Sequence, residues 1–419
     1  MLTGINVLVA SGIHGFVLVV MGPGIETDAL IAGAAMPQLL FGVISGSLAH
    51  VLVPLLATQD GEQFRHDAWS FLGVIGAVFT VLAIVLSWSS SFWVPLLFPG
   101  LSDAGKSLVG ELTRIQLTGL IFNGLAGVLV AVHHARQRFL WPQYAHLIDS
   151  LLGLGLLAWA LPLYGIQVAA WVAVLRPLVQ TLLLLPGLGS CRNLQWSNTL
   201  IIKAWQRLRP LLLGASYYKS GHLVDRFLSS MVPAGGLSLF FLAHQIYGGL
   251  NDLFNKAITV PLVPLLVRKA AAADWLEYRR LYRKRLQWVV TLSSLGYVLF
   301  LVSGEKGLSL LIGHGGVTAD NIALFWWILL AMGGYLIAGG LEQVLAAAFY
   351  AEGDTGTPAI VGAIGFTLGV IFKVVGFLQL GIIGLAIGTT LQQLFNSSVL
   401  YILLEKRSKQ FLLNGSAIK

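Results

Sequence analysis

The tetrapeptide Val53-Pro54-Leu55-Leu56 occurs a second time in this chain, as Val263-Pro264-Leu265-Leu266, at an offset of 210 residues. The same offset relates Met21-Gly22-Pro23 to Met231-Val232-Pro233, so the spacing between the two motifs is repeated as well. Self-similarity at a fixed offset indicates an internal duplication. In a membrane protein, such a duplication is typical of a transporter whose two halves move about a site between them.

A second set of positions extends the duplication toward the carboxyl end. Five residues of the stretch 128–142 recur in the stretch 344–358 at an offset of 216. The pairs are Val128 and Val344, Leu129 and Leu345, Ala131 and Ala347, Ala135 and Ala351, and Pro142 and Pro358. The order of the motifs is therefore the same in both halves.

The composition indicates an all-α polytopic membrane protein. Hydrophobic residues make up 56% of the 419 positions and charged residues only 11%, whereas charged residues form about a quarter of a soluble domain. Apolar runs of about 20 residues, enough to cross about 30 Å of hydrocarbon as a helix, recur along the chain. We predict twelve helices, numbered one to twelve, at 2–21, 29–57, 69–97, 115–135, 144–163, 166–185, 211–231, 237–267, 286–311, 322–350, 357–380 and 382–404. Helix one has no charged leader, so we expect a retained helix and not a signal peptide.

Basic residues are distributed unevenly between the predicted loops. With the amino terminus inside, Lys and Arg concentrate on that side, and the opposite loops hold only Lys106, Arg114 and Lys306. The positive-inside rule then places both termini in the cytoplasm, with the chain in a bacterial cytoplasmic (inner) membrane. This sidedness explains the net charge of +8, so we expect no nucleic-acid partner. The single cysteine, Cys191, excludes an internal disulfide framework and a cysteine-based metal site, and we expect no metal and no cofactor.

The repeat divides the chain into two lobes of six helices each. Because six is an even number, the second half starts on the same side as the first, and the repeats are parallel. We therefore predict an N-terminal lobe at 1–206 and a C-terminal lobe at 207–419. The polar stretch 189–206 joins them.

A basic loop after helix eight, at 268–285, mixes Lys and Arg with aromatic and apolar residues at helical spacing. One interpretation is a short amphipathic helix lying on anionic headgroups at the cytoplasmic face. The alternative is an ordinary solvated loop that follows the positive-inside rule. The sequence favours neither.

Several motifs together resemble the MurJ/MviN family of lipid II flippases, within the multidrug, oligosaccharidyl-lipid and polysaccharide exporter superfamily. The most specific is Ala348-Phe349-Tyr350-Ala351-Glu352-Gly353-Asp354-Thr355-Gly356-Thr357-Pro358. The others are Leu223-Val224-Asp225-Arg226-Phe227-Leu228, Val263-Pro264-Leu265-Leu266, Gly22-Pro23-Gly24 with Thr27-Asp28-Ala29, and Met36-Pro37-Gln38-Leu39-Leu40. The resemblance implies a V-shaped bundle of two lobes with a central polar cavity. Through that cavity the sugar headgroup of a lipid-linked saccharide passes while the polyprenyl tail stays in lipid.

The chain also departs from the pattern of that family. Phe41-Gly42 occupies the position of a family Arg-Arg pair, helix one carries no arginine, and His244-Gln245 replaces an acidic-basic pair. Lipid II is the substrate that the resemblance implies. An exopolysaccharide, teichoic acid or O-antigen precursor stays open beside it.

Ionisable residues inside membrane helices are costly unless they are paired or face water, so they are the first candidates for a functional site. Helix seven carries Lys219, His222, Asp225 and Arg226, and the spacing places the three basic groups along one broad face. Lys and Arg donate charge-assisted hydrogen bonds to phosphate oxygens, as recognition of a pyrophosphate requires. The alternative is that Asp225 neutralises Lys219 or Arg226 as buried glue between helices. His222 can couple transport to protons or simply pack between helices.

Helix eight adds Asp252 and Lys256, which we predict to form an ion pair at i,i+4 spacing, and Lys256 is a further candidate for phosphate contact. Asp28 is either a substrate ligand or a helix cap, and Thr27 or Asp28 is expected to cap helix two.

The remaining membrane-embedded groups are scattered along the chain. Asp149 and Arg176 read as single groups in the first half. Glu342 either pairs with Lys373 across neighbouring helices or holds a coupling ion. Thr357, with Pro358 at the first helical position, is expected to cap helix eleven.

These features predict a flippase that moves an undecaprenyl-pyrophosphate-linked saccharide across the cytoplasmic membrane by alternating access, without covalent chemistry. Its partners would be that glycolipid, membrane lipids and possible cell-wall synthesis proteins. The alternatives are a cation-coupled multidrug exporter of the same superfamily and a non-transporting scaffold of the cell-wall machinery. A membrane enzyme is disfavoured, because no loop supplies the grouped acidic residues that catalysis would need.

Overall fold

A computed structural model describes residues 2–189 and 198–416 of the chain. Within these residues the chain consists of helices and short connections, without a β-strand. The α-helices are α1 (Leu2–Met21), α2 (Ile25–Gly33), α3 (Ala35–Ala57), α4 (Gly61–Trp88), α5 (Ser90–Leu97), α6 (Asp103–Ala135), α7 (Leu140–Tyr164), α8 (Gln167–Leu184), α9 (Asn198–Lys219), α10 (Gly221–Ser229), α11 (Gly236–Phe254), α12 (Val260–Ala271), α13 (Trp275–Ile312), α14 (Ala319–Ala331), α15 (Gly333–Ala351) and α16 (Gly356–Ser416). A 3₁₀ turn, Leu185–Leu188, follows α8, and a π-helical turn, Asn255–Thr259, joins α11 to α12.

The all-α membrane fold is confirmed, and nine stretches of the described residues are long and apolar enough to cross a membrane. Several predicted helices are interrupted. Predicted helix three breaks at Ser89, and predicted helix seven begins earlier, at Asn198, and breaks at Ser220. The last two predicted helices, 357–380 and 382–404, are the two parts of α16, which is interrupted between them at Gly381 with a φ of 59°. The number of twelve membrane helices stays a prediction.

The chain divides into two compact units, Met1–Ser238 with Gly315–Val317, and Leu239–His314 with Thr318–Lys419. This division does not coincide with the lobes predicted at 1–206 and 207–419, because α9 and α10 pack with α3 of the first unit. The lobes are defined by the repeat and stay a prediction. Ser190 to Ser197 of the predicted join, including Cys191, lie outside the described residues, whereas the rest of the join after Asn198 is helical.

The first unit has its core between α3, α4 and α6. Leu52, Leu56, Phe79 and Leu120 are almost fully buried there. Gly124 of α6 packs closely against the Phe79 ring, and a Cβ at this position would be 2.6 Å from the ring. Small residues of this kind let helices approach closely in lipid, where apolar burial alone does not hold them together.

The second unit corrects the interpretation of the basic loop. Residues from Trp275 onward are the first turns of α13, which is interrupted only later, at Gly304 with a φ of 60°, so no separate amphipathic helix forms. Its aromatic face packs inward: Tyr278 and Tyr282 are fully buried. The Tyr278 hydroxyl donates to the Ala348 carbonyl at 2.6 Å, and the Trp275 ring stacks on Phe411 at 4.1 Å. The apolar side is used for packing within the protein and is not free for a bilayer surface.

A buried carboxylate fixes the start of α13 to the end of α16. Glu405 accepts hydrogen bonds from the guanidinium groups of Arg279 at 2.6 Å and Arg283 at 2.7 Å, and from the Tyr282 hydroxyl at 2.9 Å. Two basic residues predicted to lie in a cytoplasmic loop therefore form ion pairs within the unit. Bidentate arginine contacts of this type are strong and geometrically specific.

Both predicted helix caps are replaced by other residues. The backbone of α2 starts at Ile25 with Gly24 at the N-cap, and Thr27 reaches back to accept the Gly24 N–H at 2.9 Å. At the start of α16, Asp354 is the capping group and Thr357 is the donor, with its backbone N–H 2.9 Å from Asp354 Oδ1. These bonds, with the nearby Arg407, lower the pKa of Asp354 to about 2.

The duplication is visible in the backbone after α6 and after α15. The Arg138 N–H donates to the His133 carbonyl at 2.9 Å, and the Asp354 N–H, 216 positions later, donates to the Phe349 carbonyl at 3.0 Å. Each turn contains one residue with a left-handed backbone: Gln137, with a φ of 58°, and Gly353, with a φ of 82°. The same main-chain turn therefore ends the corresponding helix in both halves.

Candidate functional site

Asp28 is a buried site residue with two backbone hydrogen bonds. It is 2% exposed, and its Oδ2 and Oδ1 atoms accept the backbone N–H groups of Gly235 at 2.7 Å and Ser238 at 2.8 Å. The Thr27 hydroxyl lies 3.3 Å from the Ser238 hydroxyl. Asp28 is thus a cap, as one alternative held, but it caps α11 and not its own helix.

The chemistry of this contact follows from the position of the donors. The first N–H groups of a helix have no partner within the helix and carry the positive end of its dipole, so a carboxylate there is stabilising. Ser238 follows Asp28 by the repeat offset of 210 residues. The start of each repeated helix therefore meets its counterpart, and only one of the two positions carries a charge.

Arg226 and Asp225 are buried together in α10, at 5% and 6% exposure. Arg226 Nη2 donates to the side-chain oxygen of Gln38 in α3, and Asp225 interacts with the Arg226 charge. This arrangement matches the predicted alternative in which an acid neutralises Arg226 between helices. Contact between Arg226 and a transported headgroup stays untested.

Lys219 and His222 are exposed, in contrast to Arg226. The helix is interrupted at Ser220, between α9 and α10, although Ser220 keeps a helical backbone and its N–H still donates to the Ser216 carbonyl at 3.1 Å. The Lys219 stem runs along α3, where a Cβ on Gly42 would lie 3.7 Å from Lys219 Cδ. The missing side chain at Gly42 thus leaves room for a cation supplied by α9.

In the second unit, the predicted ion pair between Asp252 and Lys256 is wrong. Both side chains are exposed, and no ion pair joins them within the described residues. Lys256 lies inside the π-helical turn Asn255–Thr259, which adds a residue to the turn, so residues at i,i+4 spacing no longer face each other there. Pro261, the second residue of α12, lacks an N–H group and favours such a bulge just before it.

The prediction of Asp149 and Arg176 as single groups is also wrong. Arg176 Nε donates to Asp149 Oδ1 at 3.1 Å and Nη2 donates to Ser150 Oγ at 2.7 Å, while His146 lies 3.1 Å from Asp149 Oδ2. These groups link α7 to α8 as a buried polar cluster. Sequence reasoning missed it because the two helices are neighbours only in space.

Glu342 in α15 accepts hydrogen bonds from the side-chain amides of Gln393 and Asn396 in α16. These two amides supply the hydrogen bonds that were predicted to come from Lys373. The alternative role of Glu342 in holding a coupling ion stays a prediction, as does the role of His222 in coupling.

Three residues that matter here were not predicted as a group. Gln38 was recognised only as part of a motif, and Gly235 and Ser238 were not singled out. The repeat itself could have identified Ser238, because Ser238 is the residue 210 positions after Asp28. No comparable signal marks Gln38, because its partner is 188 positions away.

Comparison with known proteins identifies the family. Residues 18–419 match the family model described as lipid II flippase MurJ. A probable lipid II flippase MurJ of Synechocystis is 25% identical, over 95% of this chain and 78% of the relative. The lipid II flippase MurJ of Burkholderia cenocepacia is 24% identical, over 91% of this chain and 77% of the relative.

Solved structures agree in fold. A lipid II flippase MurJ in an inward closed conformation has a TM-score of 0.81 at 17% identity, over 98% of this chain and 88% of that chain. An inward-facing multidrug resistance MATE family transporter has a TM-score of 0.79 at 15% identity, over 98% of this chain and 95% of that chain. At these identities the likeness concerns the fold alone. Because the family model matches almost the entire sequence, the chain belongs to the lipid II flippase MurJ family.

Proposed function

We propose that this chain is a flippase that moves an undecaprenyl-pyrophosphate-linked saccharide, lipid II or a related cell-envelope precursor, across the cytoplasmic membrane by alternating access. The observation that carries the proposal is the family match over residues 18–419. The curated relatives named above as lipid II flippases support it. Both termini are proposed to face the cytoplasm, on the distribution of Lys and Arg. Cell-wall synthesis proteins are proposed as possible partners.

The exposed lysines are the groups best suited to hold the pyrophosphate. Lys219 and Lys256 are exposed, and a flexible ammonium group can follow a moving phosphate. Arg226 is buried and already donates to Gln38, so we assign it the role of orienting α10 against α3. We propose His222 in the first unit and Asp252 in the second unit as further polar contacts for the headgroup, and the buried Asp225 as the group that holds Arg226.

Asp28 supplies a contact that alternating access can use. Its two bonds to the backbone of Gly235 and Ser238 hold the start of α11 beside the start of α2. Because both acceptor atoms are occupied, we propose that Asp28 stabilises one conformation and does not bind the substrate directly in it. Release of these bonds would free two backbone donors at a helix start, where anions bind readily.

A flipping assay in vesicles tests the proposal. Purified protein is reconstituted with fluorescent lipid II, and the fraction of headgroups accessible to a membrane-impermeant quencher is followed with time. Substitution of Lys219 or Lys256 by alanine is expected to slow flipping about tenfold or more, since charge-assisted hydrogen bonds contribute about 1.5–3 kcal/mol each. Lys219→Arg, which keeps the charge, is expected to retain most of the rate.

Lys284→Ala is the matched control, because Lys284 is exposed but lies in the basic first turns of α13. Its rate is expected to stay within about twofold of the parent, as for most exposed charges. No lipid movement by the parent protein would refute the flippase proposal. Movement that survives both lysine substitutions would refute only the assignment of the phosphate contacts.

The same vesicles separate the two alternatives. Export of a cationic dye driven by a sodium or proton gradient, without movement of lipid II, would support a multidrug exporter. Failure to move either compound, together with a stable protein partner from the cell-wall machinery, would support a scaffold.

A further inference from the structure

Gly100, in the turn between α5 and α6, lies directly on the backbone of the turn between α10 and α11. A Cβ built on Gly100 would lie 2.4 Å from the Ser230 carbonyl oxygen and 2.4 Å from Met231 Cα. Gly100 does not have a positive φ angle, so a left-handed backbone is not the reason for glycine at this position. The close approach alone therefore requires glycine at this position.

Gly316, in the loop between α13 and α14, makes the corresponding contact with the turn between α1 and α2. A Cβ built on Gly316 would lie 2.7 Å from the Gly22 nitrogen and 2.9 Å from the Met21 carbonyl carbon. The Gly316 N–H donates to the Val19 carbonyl at 2.9 Å. Gly316 also lacks a positive φ angle, so again the contact and not the backbone conformation demands glycine.

The contact of Gly100 and the contact of Gly316 occupy corresponding positions in the two halves of the repeat. Gly316 follows Gly100 by 216 residues and Met231 follows Met21 by 210, which are the two offsets of the internal repeat. The glycine of each half thus lies on the first turn of the other half. All four positions belong to the first compact unit, so both contacts are internal to it.

We propose that Gly100 and Gly316 form a pair of reciprocal latches that hold the turns 21–24 and 230–235 in one closed arrangement, and that a side chain at either glycine opens it. Contacts between backbones have few ways to yield, because closely packed surfaces switch between discrete arrangements and do not deform continuously. A methyl group under 3 Å from main-chain atoms is therefore expected to separate the turns. The two turns also contact each other, since a Cβ on Gly235 would lie 2.9 Å from the Pro23 carbonyl carbon, and Asp28, in the first turn of α2, bonds to Gly235 and Ser238 beside this contact.

The inference relies on the proposed function only for the reason why the turns must separate during a cycle. Its test needs no lipid. In a background with Cys191→Ser, a reporter cysteine is placed by Ser230→Cys, since Ser230 is 1% exposed and its hydroxyl bonds only locally, to the Phe227 carbonyl. The rate of reaction with a hydrophilic maleimide is measured in detergent for the parent, Gly100→Ala and Gly316→Ala.

Either alanine is expected to raise the labelling rate about tenfold or more, since overpacking of this size shifts a two-state equilibrium by one or two powers of ten. The matched control is Gly110→Ala, because a Cβ on Gly110 of α6 meets nothing within 4 Å; its rate is expected to equal that of the parent. A second reporter, Ser47→Cys in the buried part of α3, monitors the fold and is expected to stay protected.

Unchanged labelling of the Ser230 reporter in both glycine variants would overturn the proposal. So would equal increases at the Ser230 and Ser47 reporters, because the latches require the rest of the first unit to remain intact. The lipid assay does not enter these outcomes, so failure of the flippase proposal and failure of the latch are separately visible.

Discussion

Replacing Asp28 by alanine should release the start of α11 while leaving the rest of the first unit folded. The carboxylate accepts two backbone N–H groups, at 2.7 and 2.8 Å, in a buried setting. Hydrogen bonds to a charged acceptor contribute about 1.5–3 kcal/mol each, so the two together give at least about 3 kcal/mol. Because each 1.4 kcal/mol is tenfold, the loss corresponds to roughly a hundredfold change in local opening.

Hydrogen exchange measured by mass spectrometry reads this change directly, since the affected groups are backbone amides. The peptide that contains Gly235 and Ser238 is expected to exchange about a hundredfold faster in Asp28→Ala, by the same arithmetic. Asp28→Asn should give an intermediate rate. Its amide oxygen can still accept one of the two backbone N–H groups, whereas its NH₂ group, itself a donor, faces the other N–H group. Peptides from α4 and α6 should be unaffected.

Asp103→Ala is the control, because Asp103 is a fully exposed carboxylate in the first turn of α6. Its exchange pattern around α11 should equal that of the parent. If Asp28→Ala leaves the amides of the α11 start as protected as before, then other groups satisfy them and the assigned role of Asp28 is wrong.

Two further predictions concern the second unit. The pKa of Asp354 is lowered to about 2 from an ordinary 3.8. Its cap therefore contributes stability that is complete above about pH 4 and is lost as the pH falls through about 2. Thermal unfolding measured from pH 2 to 5 should show this pH dependence of stability in the parent protein and not in Asp354→Asn. Glu405→Gln should lower the thermal stability by about 2 kcal/mol, since hydrogen bonds to a charged acceptor contribute about 1.5–3 kcal/mol each while the partly exposed Arg279 and Arg283 regain some hydration. Glu277→Gln, at the exposed pair with Arg280, should cost less than about 1 kcal/mol, and equal effects of the two substitutions would contradict the reasoning.

The sequence was informative where a pattern is local or repeated. Apolar length predicted the membrane helices, and the offsets of 210 and 216 predicted a duplication whose backbone turns coincide. Helix starts were less predictable. From the sequence, Thr27 is a better capping residue than glycine, yet the N-cap of α2 is Gly24, whose extended backbone directly precedes the helix.

The polar contacts could not be predicted, because each depends on which helices become neighbours. Asp149 and Arg176 belong to different helices and meet across 27 positions. Asp252 and Lys256 have the spacing of an ion pair, yet Lys256 lies inside a π-helical turn, where that spacing no longer brings side chains together. The aromatic residues of α13 illustrate the same limit, since amphipathic spacing does not say whether lipid or protein covers the apolar face. Tyr278 and Tyr282 are covered by protein.

The matching left-handed turns after α6 and α15 bear on how a duplicated transporter diverges. In both copies main-chain hydrogen bonds close the turn, so its geometry does not depend on the side chains beside it. Those side chains now have opposite charges: Arg136 lies over the Phe64 ring at 4.2 Å, whereas its counterpart Glu352 pairs with Arg407 at 3.1 Å. What the two halves inherited in common at this point is a pattern of backbone bonds, and the sign of the charge was free to change. Turns of this type let one half of a gene acquire new electrostatic partners without the need to refold the protein.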